Sequence, residues 1–421
     1  MSKDNKNSKD FSRRKFIGTI AAVAGAGVAG AAIGVNIESA HGESIGVDKL
    51  SNKIIPFYGK NQSGILNDAP ASAIVCSFDI VTTGKQSLQD IFKILSLEIE
   101  ALTQGKNIEE VDRKYPPIDN LVNGESPDVD ELTITLGVGA SIFDDRFGIS
   151  EKKPKELIEM QNFPNDRLDK KRINGDLVIQ ICAQHSETCL RALRIVMRKT
   201  RNSLVLKWLE QGFVQPNTLE SGKTSTRNLL GFKDGTSNPN PKDSKTMNNL
   251  VWVDDSSDEP TWAAGGSYMA VRSIRMFVEH WDRTSLDEQE VIMGRHKHTG
   301  APIGKKNEDD IPVFHKNPHS NQISVDAHIR LANPRTKETE KNIILRRGYN
   351  YSRGFDSAGH LDQGLLFISF QKSLNDGFLA VQKRLNGELL EEYIQPNGGG
   401  FYFVLPGIEK DSFLGEKLFA S

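Results

Sequence analysis

The chain has 421 residues, 37% of them hydrophobic and 26% charged, which is enough for two domains and a substantial core. Its net charge of −2 falls to about −5 once residues 1–42, with six basic and three acidic residues, are set aside. The basic footprint that nonspecific nucleic-acid binding needs is therefore missing. Three cysteines (Cys76, Cys182 and Cys189) with neither C-x-x-C nor C-x-x-C-H among them exclude a complete disulfide framework and argue against a thiolate zinc site or a covalently attached c-type haem.

Residues 1–42 form a targeting segment rather than part of the fold. Ser12 to Ile17 reads SRRKFI, the twin-arginine pattern, and Ile17 to Val35 is an uncharged run rich in Ala and Gly. The run is about long enough to span a bilayer, so an uncleaved anchor competes with a cleaved signal; its low hydrophobicity favours the signal. Cleavage is expected after Ala40 or Gly42. The expectation is export of an already folded bacterial protein to an extracytoplasmic place: periplasm, cell envelope or secreted.

Beyond this segment the chain shows an internal pseudo-repeat. Ser72 to Val81 reads as a strand. Ser87 is the predicted N-cap of a helix in which Leu88, Ile91, Leu95, Ile99 and Leu102 recur at helical spacing. Leu132 to Val138 and Leu177 to Ala183 are strands, Ser186 opens a second helix, and Asn202 to Phe213 leads out. That order is β-α-β-β-α-β, the ferredoxin-like unit. Cys76 and Cys182 lie in its strand-like runs, where burial as small hydrophobes is expected.

The second half repeats the order less cleanly. Tyr268 to Phe277 is a strand, Ser285-Leu286-Asp287-Glu288 starts a helix with a capping box, and that helix ends near Gly294. Strands follow around Asp326 to Leu331 and Gly364 to Phe370. A helix then carries Phe378, Val381 and Leu385, and Phe401 to Leu405 closes. The fold class is α+β, two ferredoxin-like units packed as a dimeric α+β barrel. The domains are expected at 43–220 and 221–421, divided at the polar stretch Pro216 to Thr226.

Several clusters invite a functional reading. Asp254 to Glu259 and Glu308-Asp309-Asp310 are acidic; solvated loops are the expected reading, with a metal-binding role as the alternative. Arg295-His296-Lys297-His298 has His-x-His spacing, which on a strand puts both rings on one face. No acidic residue or thiolate lies beside it in the chain, and flanking positive charge opposes a divalent ion. His328 stands among apolar residues before a turn at Asn333-Pro334, and Arg346-Arg347 closes the run Ile343-Ile344-Leu345. Asp234 sits between glycines in GFKDGTSNP, Gly231 to Pro239, where backbone can approach a large flat ligand.

Gly231-Phe232-Lys233-Asp234-Gly235 resembles the GxxDG motif of the dye-decolourising peroxidases, and Ala327 to Arg335, AHIRLANPR, is similar to their haem-ligand segment. GYNYSRG at Gly348 to Gly354, GLLFISFQ at Gly364 to Gln371 and GGGFYFVLPG at Gly398 to Gly407 support the match, as does Ile303 in RHKHTGAPIG. The resemblance runs from about Ile55 to the C-terminus. With the twin-arginine pattern it points to the exported deferrochelatase/peroxidase branch.

The resemblance implies one haem b, with His328 as axial ligand to its iron, Asp234 as distal acid–base group and Arg346 as distal cation. A carboxylate must be ionised to act as a base, and a nearby guanidinium favours ionisation. It also implies Gly235, Thr236 and Ser237 against the porphyrin, and Asn333, Pro334 and Arg335 near its propionates. Leu365 and Phe367 share a strand face and are candidates either to wall the distal pocket or simply to pack the core. An acidic partner for the axial imidazole belongs to the family pattern; Asp326 is too near in sequence to serve. Arg347 is expected to point away from the pocket.

Three readings follow: a peroxidase oxidising a donor with hydrogen peroxide, a deferrochelatase taking iron from haem with the porphyrin intact, or a non-catalytic haem- or iron-binding member of an uptake system. Ferrous iron as electron donor is a further alternative. The expected partners are peroxide, a donor or haem, a membrane iron-uptake complex and a second copy of the chain, with no nucleic acid.

Overall fold

The computed structural model describes residues 53–105, 114–124, 128–214, 225–314 and 323–420. The twin-arginine segment lies outside the described residues, as does most of the expected boundary at 216–226. Four strands and two helices come first: β1 (Ser72–Ile80), α1 (Lys85–Thr103), β2 (Thr133–Gly139), β3 (Leu177–Ala183), α2 (Ser186–Thr200) and β4 (Leu204–Phe213). A two-residue ribbon follows, β5 (Thr226–Arg227) with β6 (Lys233–Asp234), then α3 (Ser244–Leu250), β7 (Ser267–Met276), α4 (Val278–Trp281) and α5 (Leu286–Met293). The chain finishes with α6 (His328–Ala332), β8 (Leu345–Arg346), β9 (Tyr349–Phe355), β10 (Leu361–Gln371), α7 (Ala380–Leu385) and β11 (Ile394–Val404).

Eight of the strands close on themselves in the order β7-β11-β2-β3-β1-β4-β9-β10, with β10 returning to β7. The pairs are antiparallel, and β8 joins the same edge of β10 just beyond β9. The closing pair is tight: a Cβ on Gly364 would lie 1.9 Å from the Ile274 carbonyl oxygen, so only glycine fits there.

Period-two alternation explains why these runs are so apolar. In β1, Ala73 and Val75 face the barrel interior with Val178, Trp208, Val271, Leu366 and Phe370. Ile74, Cys76 and Phe78 face outward under the helices, with Leu88, Ile91, Leu95 and Ile99 of α1 and Leu193 of α2. Both faces are covered, so both are hydrophobic. Cys76, Cys182 and Cys189 are buried free thiols, and burial pushes Cys76 and Cys189 well up from the ordinary thiol range.

Three local expectations need correcting or refining. Helix α1 begins at Lys85, capped by Gly84 at φ 90°, not by Ser87. The Ser87 hydroxyl donates instead to Thr82 Oγ1 at 2.5 Å. The stretch Asp326 to Leu331 is not a strand: Ala327 O accepts the amides of Arg330 and Leu331 at 3.0 and 3.1 Å, making α6 a single helical turn. Five residues are too few to show a helical period, so the alternating Ile329 and Leu331 mimic a strand. The helix carrying Phe378 starts as a π-turn over Asn375–Leu379 before α7 continues it. Helix α5 forms as expected, with Ser285 Oγ accepting the Glu288 amide and Gly294 ending it at φ 81°.

Candidate functional site

Helix α6 carries His328, and its C-terminal carbonyls are gripped by one side chain. Arg384 Nε and Nη2 donate to Leu331 O and Ala332 O, both at 3.0 Å, and its Nη1 reaches Asn342 Oδ1 at 2.8 Å. The His328 ring is thus held on a short, braced support. Its Nδ1 lies 2.7 Å from Glu388 Oε2, a carboxylate only 3% exposed. Burial disfavours the charged ring, and Glu388 outweighs that effect, raising the ring above its ordinary value. With Nδ1 engaged by the carboxylate, Nε2 is the nitrogen left for a ligand in the cavity. Glu388 is the acidic partner that the sequence alone did not place. It lies 60 residues from His328, after Gly387 at φ 81°.

Asp234 stands at the end of β6. Arg346 Nη1 donates to its Oδ1 at 2.7 Å, and the two side chains are 24% and 28% exposed. Both are fixed from behind. Asn238 Nδ2 donates to Arg346 O at 2.7 Å while the Arg346 amide donates to Asn238 Oδ1 at 3.1 Å, tying the Asp234 loop to β8. Gly235 has φ 109°, a backbone state costly for any residue with a side chain, so the turn after Asp234 demands glycine. Arg347 points the other way, donating to the carbonyls of Asn67 and Asp68.

These elements meet around one cavity of about 1700 Å³, its open mouth included. Asp234, Arg346 and His328 all line it, and both charges act on the His328 ring. Gly235, Thr236, Ser237 and Asn333 line it too, whereas Pro334 and Arg335 are not among its lining residues. Arg335 is exposed on a left-handed turn at φ 56°. Its charge still reaches the site: burial first, then Arg335, hold the Arg295 guanidinium below its ordinary value. Leu365 and Phe367 both line the cavity; Phe367 also packs on Phe378 at 5.8 Å between ring centroids, and Leu365 packs against the cluster around Trp281.

Arg295 is a lining residue the sequence did not single out as such. It is 6% exposed, donating to Gly300 O at 2.6 Å and Glu308 O at 3.1 Å. The same short run explains its neighbours: His296 Nδ1 sits 2.7 Å from Glu290 Oε2, and the Lys297 amide donates to Glu290 Oε1 at 2.8 Å. An acidic partner is thus present in space though not in the adjacent sequence. Among the described residues no group of three or more His, Cys, Asp or Glu is placed to hold a metal ion. The acidic loop at Asp254 is paired, with Lys372 Nζ at 2.6 Å. Glu308 departs from the solvated-loop expectation: it is 4% exposed and pairs with Lys233 Nζ at 3.0 Å.

At the far end of the cavity Arg272 pairs with Asp166, each side chain 1% exposed. The guanidinium lies 5.1 Å from the Phe163 ring centroid and 6.0 Å from that of Phe378. Breaking such a buried pair from one side costs about 3–5 kcal/mol because the other charge stays buried. Asp166→Ala is expected to lose that much in urea unfolding; a loss below about 1 kcal/mol would mean the guanidinium has found another partner.

The residues fit a large, flat, mostly apolar, anionic ligand with a metal at its centre. A buried carboxylate behind the imidazole supports an axial nitrogen, a glycine turn leaves room for a ring, and aliphatic and aromatic walls flank it. The guanidiniums of Arg295 and Arg346 lie in the wall, with the charge of Arg335 nearby, where carboxylates of such a ligand would be matched.

Family models match the chain in two blocks, Dyp-type peroxidase N-terminal over residues 62–214 and Dyp-type peroxidase C-terminal over residues 225–409. The chain is 45% identical over 419 residues to a deferrochelatase of Shigella boydii, covering 99% of each. It is 45% identical over 409 residues to the deferrochelatase of Escherichia coli K12, covering 97% of this chain and 96% of the relative. Among solved structures, a DyP-type peroxidase from Cellulomonas bogoriensis superposes with TM-score 0.79 at 29% identity, covering 88% of this chain and 99% of the other. Ferric DtpA from Streptomyces lividans does so with TM-score 0.79 at 30% identity, covering 88% and 98%.

Proposed function

The chain belongs to the Dyp-type peroxidase family, and from that premise we propose that it is a haem b peroxidase with deferrochelatase activity, in which His328 would hold the haem iron and Asp234 and Arg346 would act on peroxide. The observation that carries this assignment of residues is the ion pair of Asp234 and Arg346 in the same cavity as a carboxylate-backed histidine. A carrier needs only the axial ligand; a charged base–cation pair is a cost that turnover explains.

Bound haem supplies the iron that accepts the oxidising equivalents of hydrogen peroxide. His328 Nε2 would hold it, and Glu388 would fix the ring by accepting a hydrogen bond from Nδ1–H. Asp234 accepts the first proton of peroxide and returns it to the leaving oxygen. Arg346 keeps its proton, orients peroxide and stabilises the negative charge that develops on it. Leu365 and Phe367 add apolar wall to the same cavity. Asn333, Gly235, Thr236 and Ser237 would bound the macrocycle, and Arg295, with the charge of Arg335 nearby, would supply positive charge for its propionates.

For the deferrochelatase reaction haem is the substrate and metal-free porphyrin the product. Incubating the purified protein with excess haem is the direct test: porphyrin fluorescence should grow with time, and its absence with an active peroxidase would leave peroxide turnover as the sole activity.

The barrel also supports a two-repeat reading. The orders β2-β3-β1-β4 and β9-β10-β7-β11 match, each half with a helix after its first and third strands in chain order, so we take the halves as ferredoxin-like units. Outside the cell's cytoplasm, a membrane iron-uptake complex and a second copy of the chain are the proposed partners. Export is proposed to follow the twin-arginine route through Ser12 to Ile17. Replacing Arg13 and Arg14 with lysines should leave the protein in the cytoplasm; normal export of that variant would mean another route.

A further inference from the structure

The loop that presents Asp234 is anchored by a residue outside the reacting pair. Lys233 and Asp234 are neighbours on β6, so their side chains leave opposite faces of the ribbon. Lys233 Nζ lies 3.0 Å from Glu308 Oε2, and the two side chains are 5% and 3% exposed. On the other flank of Asp234, Thr236 Oγ1 donates to Glu308 Oε1 at 2.9 Å. One buried carboxylate therefore holds the residue before Asp234 and the residue two after it, one oxygen to each. Its ionised form is favoured: burial opposes it, but contacts from Ser225, Lys233 and Thr236 hold the carboxyl below its usual range.

Glu308 is itself fixed to the cavity wall. Its carbonyl accepts Arg295 Nη1 at 3.1 Å, and Arg295 Nη2 lies 3.5 Å from Ser237 Oγ, the next residue of the same loop. Gly300 closes the packing: a Cβ there would come within 2.9 Å of Lys233 Cδ and 3.2 Å of Glu308 Cγ. The opposite end of the loop is held by Asn238 on the backbone of Arg346. Between these clamps the Asp234 carboxylate accepts Arg346 Nη1 at 2.7 Å.

We propose that Glu308 is a positioning residue for the peroxide reaction, clamping Lys233 and Thr236 so that the Asp234 carboxylate stays aimed into the cavity at Arg346. It touches neither haem nor peroxide and works only through Asp234. The inference rests on the peroxidase reading above, with Asp234 as the proton acceptor.

The test uses the haem-loaded full chain and cyanide as probe. Hydrogen cyanide, like peroxide, gives up a proton as it binds, so its affinity reports the distal base without turnover. Glu308→Ala should weaken cyanide binding about tenfold and slow the reaction with peroxide by a similar factor. Glu308→Gln, which keeps an acceptor for Thr236 but no charge for Lys233, should recover part of both losses. In an Asp234→Asn background Glu308→Ala should add less than about twofold, because its route of action is already gone. Haem content and the absorption spectrum at rest should match the parent throughout.

Parent-like cyanide affinity in Glu308→Ala, beside a clear loss in Asp234→Asn, would overturn the inference and leave the peroxidase reading standing. Losses that multiply in the double variant would also overturn it, since Glu308 would then act independently of Asp234. A silent Asp234→Asn would remove the reading beneath, and the inference would fall with it. Should Glu308→Ala not fold, Glu308→Gln, which removes the charge that holds Lys233, carries the same comparison.

Discussion

Replacing His328 with alanine is expected to give a folded protein without a Soret band. Helix α6 does not depend on the imidazole, since Arg384 holds its carbonyls and Ala327 is fully buried beneath it. The circular dichroism spectrum should therefore match that of the parent. Haem retention should fail because no other histidine lines the cavity among the described residues. Glu388→Gln is a graded companion. It keeps a hydrogen-bond acceptor near Nδ1 but removes the negative charge that strengthens the ligand, and loss of such a partner typically costs about 10–100-fold in metal affinity or activity. The expected order of haem affinity is parent, then Glu388→Gln, then His328→Ala. Stoichiometric haem with an unchanged spectrum in His328→Ala would sink the assignment.

Arg346→Leu is expected to slow the reaction with peroxide at least as much as Asp234→Asn. General acid–base help is typically worth about 10²–10⁴ in rate, which sets the scale for losing Asp234. The guanidinium cannot shuttle a proton, but it lies 2.7 Å from the carboxylate, so its removal takes away two things. Charge stabilisation on peroxide is lost, and so is the donor that orients Asp234 Oδ1. Both variants should keep haem, because His328 and Glu388 are untouched. Stopped-flow traces with peroxide decide it. A parent rate in Arg346→Leu would make Arg346 a packing residue against the ligand.

The residues brought together in the cavity were legible in the sequence for a specific reason. Asp234 lies between glycines whose backbone states, φ 83° at Gly231 and φ 109° at Gly235, are needed by the turn itself. His328 and Arg346 sit in segments similar to a family's motifs. The long strands and α1 were legible because both periods are sustained over many residues. What escaped was what only three-dimensional packing decides. Glu388 meets His328 because α7 and the turn at Gly387 bring it back across 60 residues. Arg295 hid beside two histidines that drew attention to metal binding, while its own burial marks it as part of the wall. The helical turn at His328 was too short to show a period. Arg335, expected near the propionates, reaches the site through its charge rather than by lining it.

The most direct test of the account is the absorption spectrum of the purified full chain, recorded at rest and again after adding one equivalent of hydrogen peroxide. A Soret band with one haem b per chain that changes within the mixing experiment, and does so far more slowly in Asp234→Asn, is the predicted result. A haem-loaded parent protein whose spectrum does not respond to peroxide would contradict it.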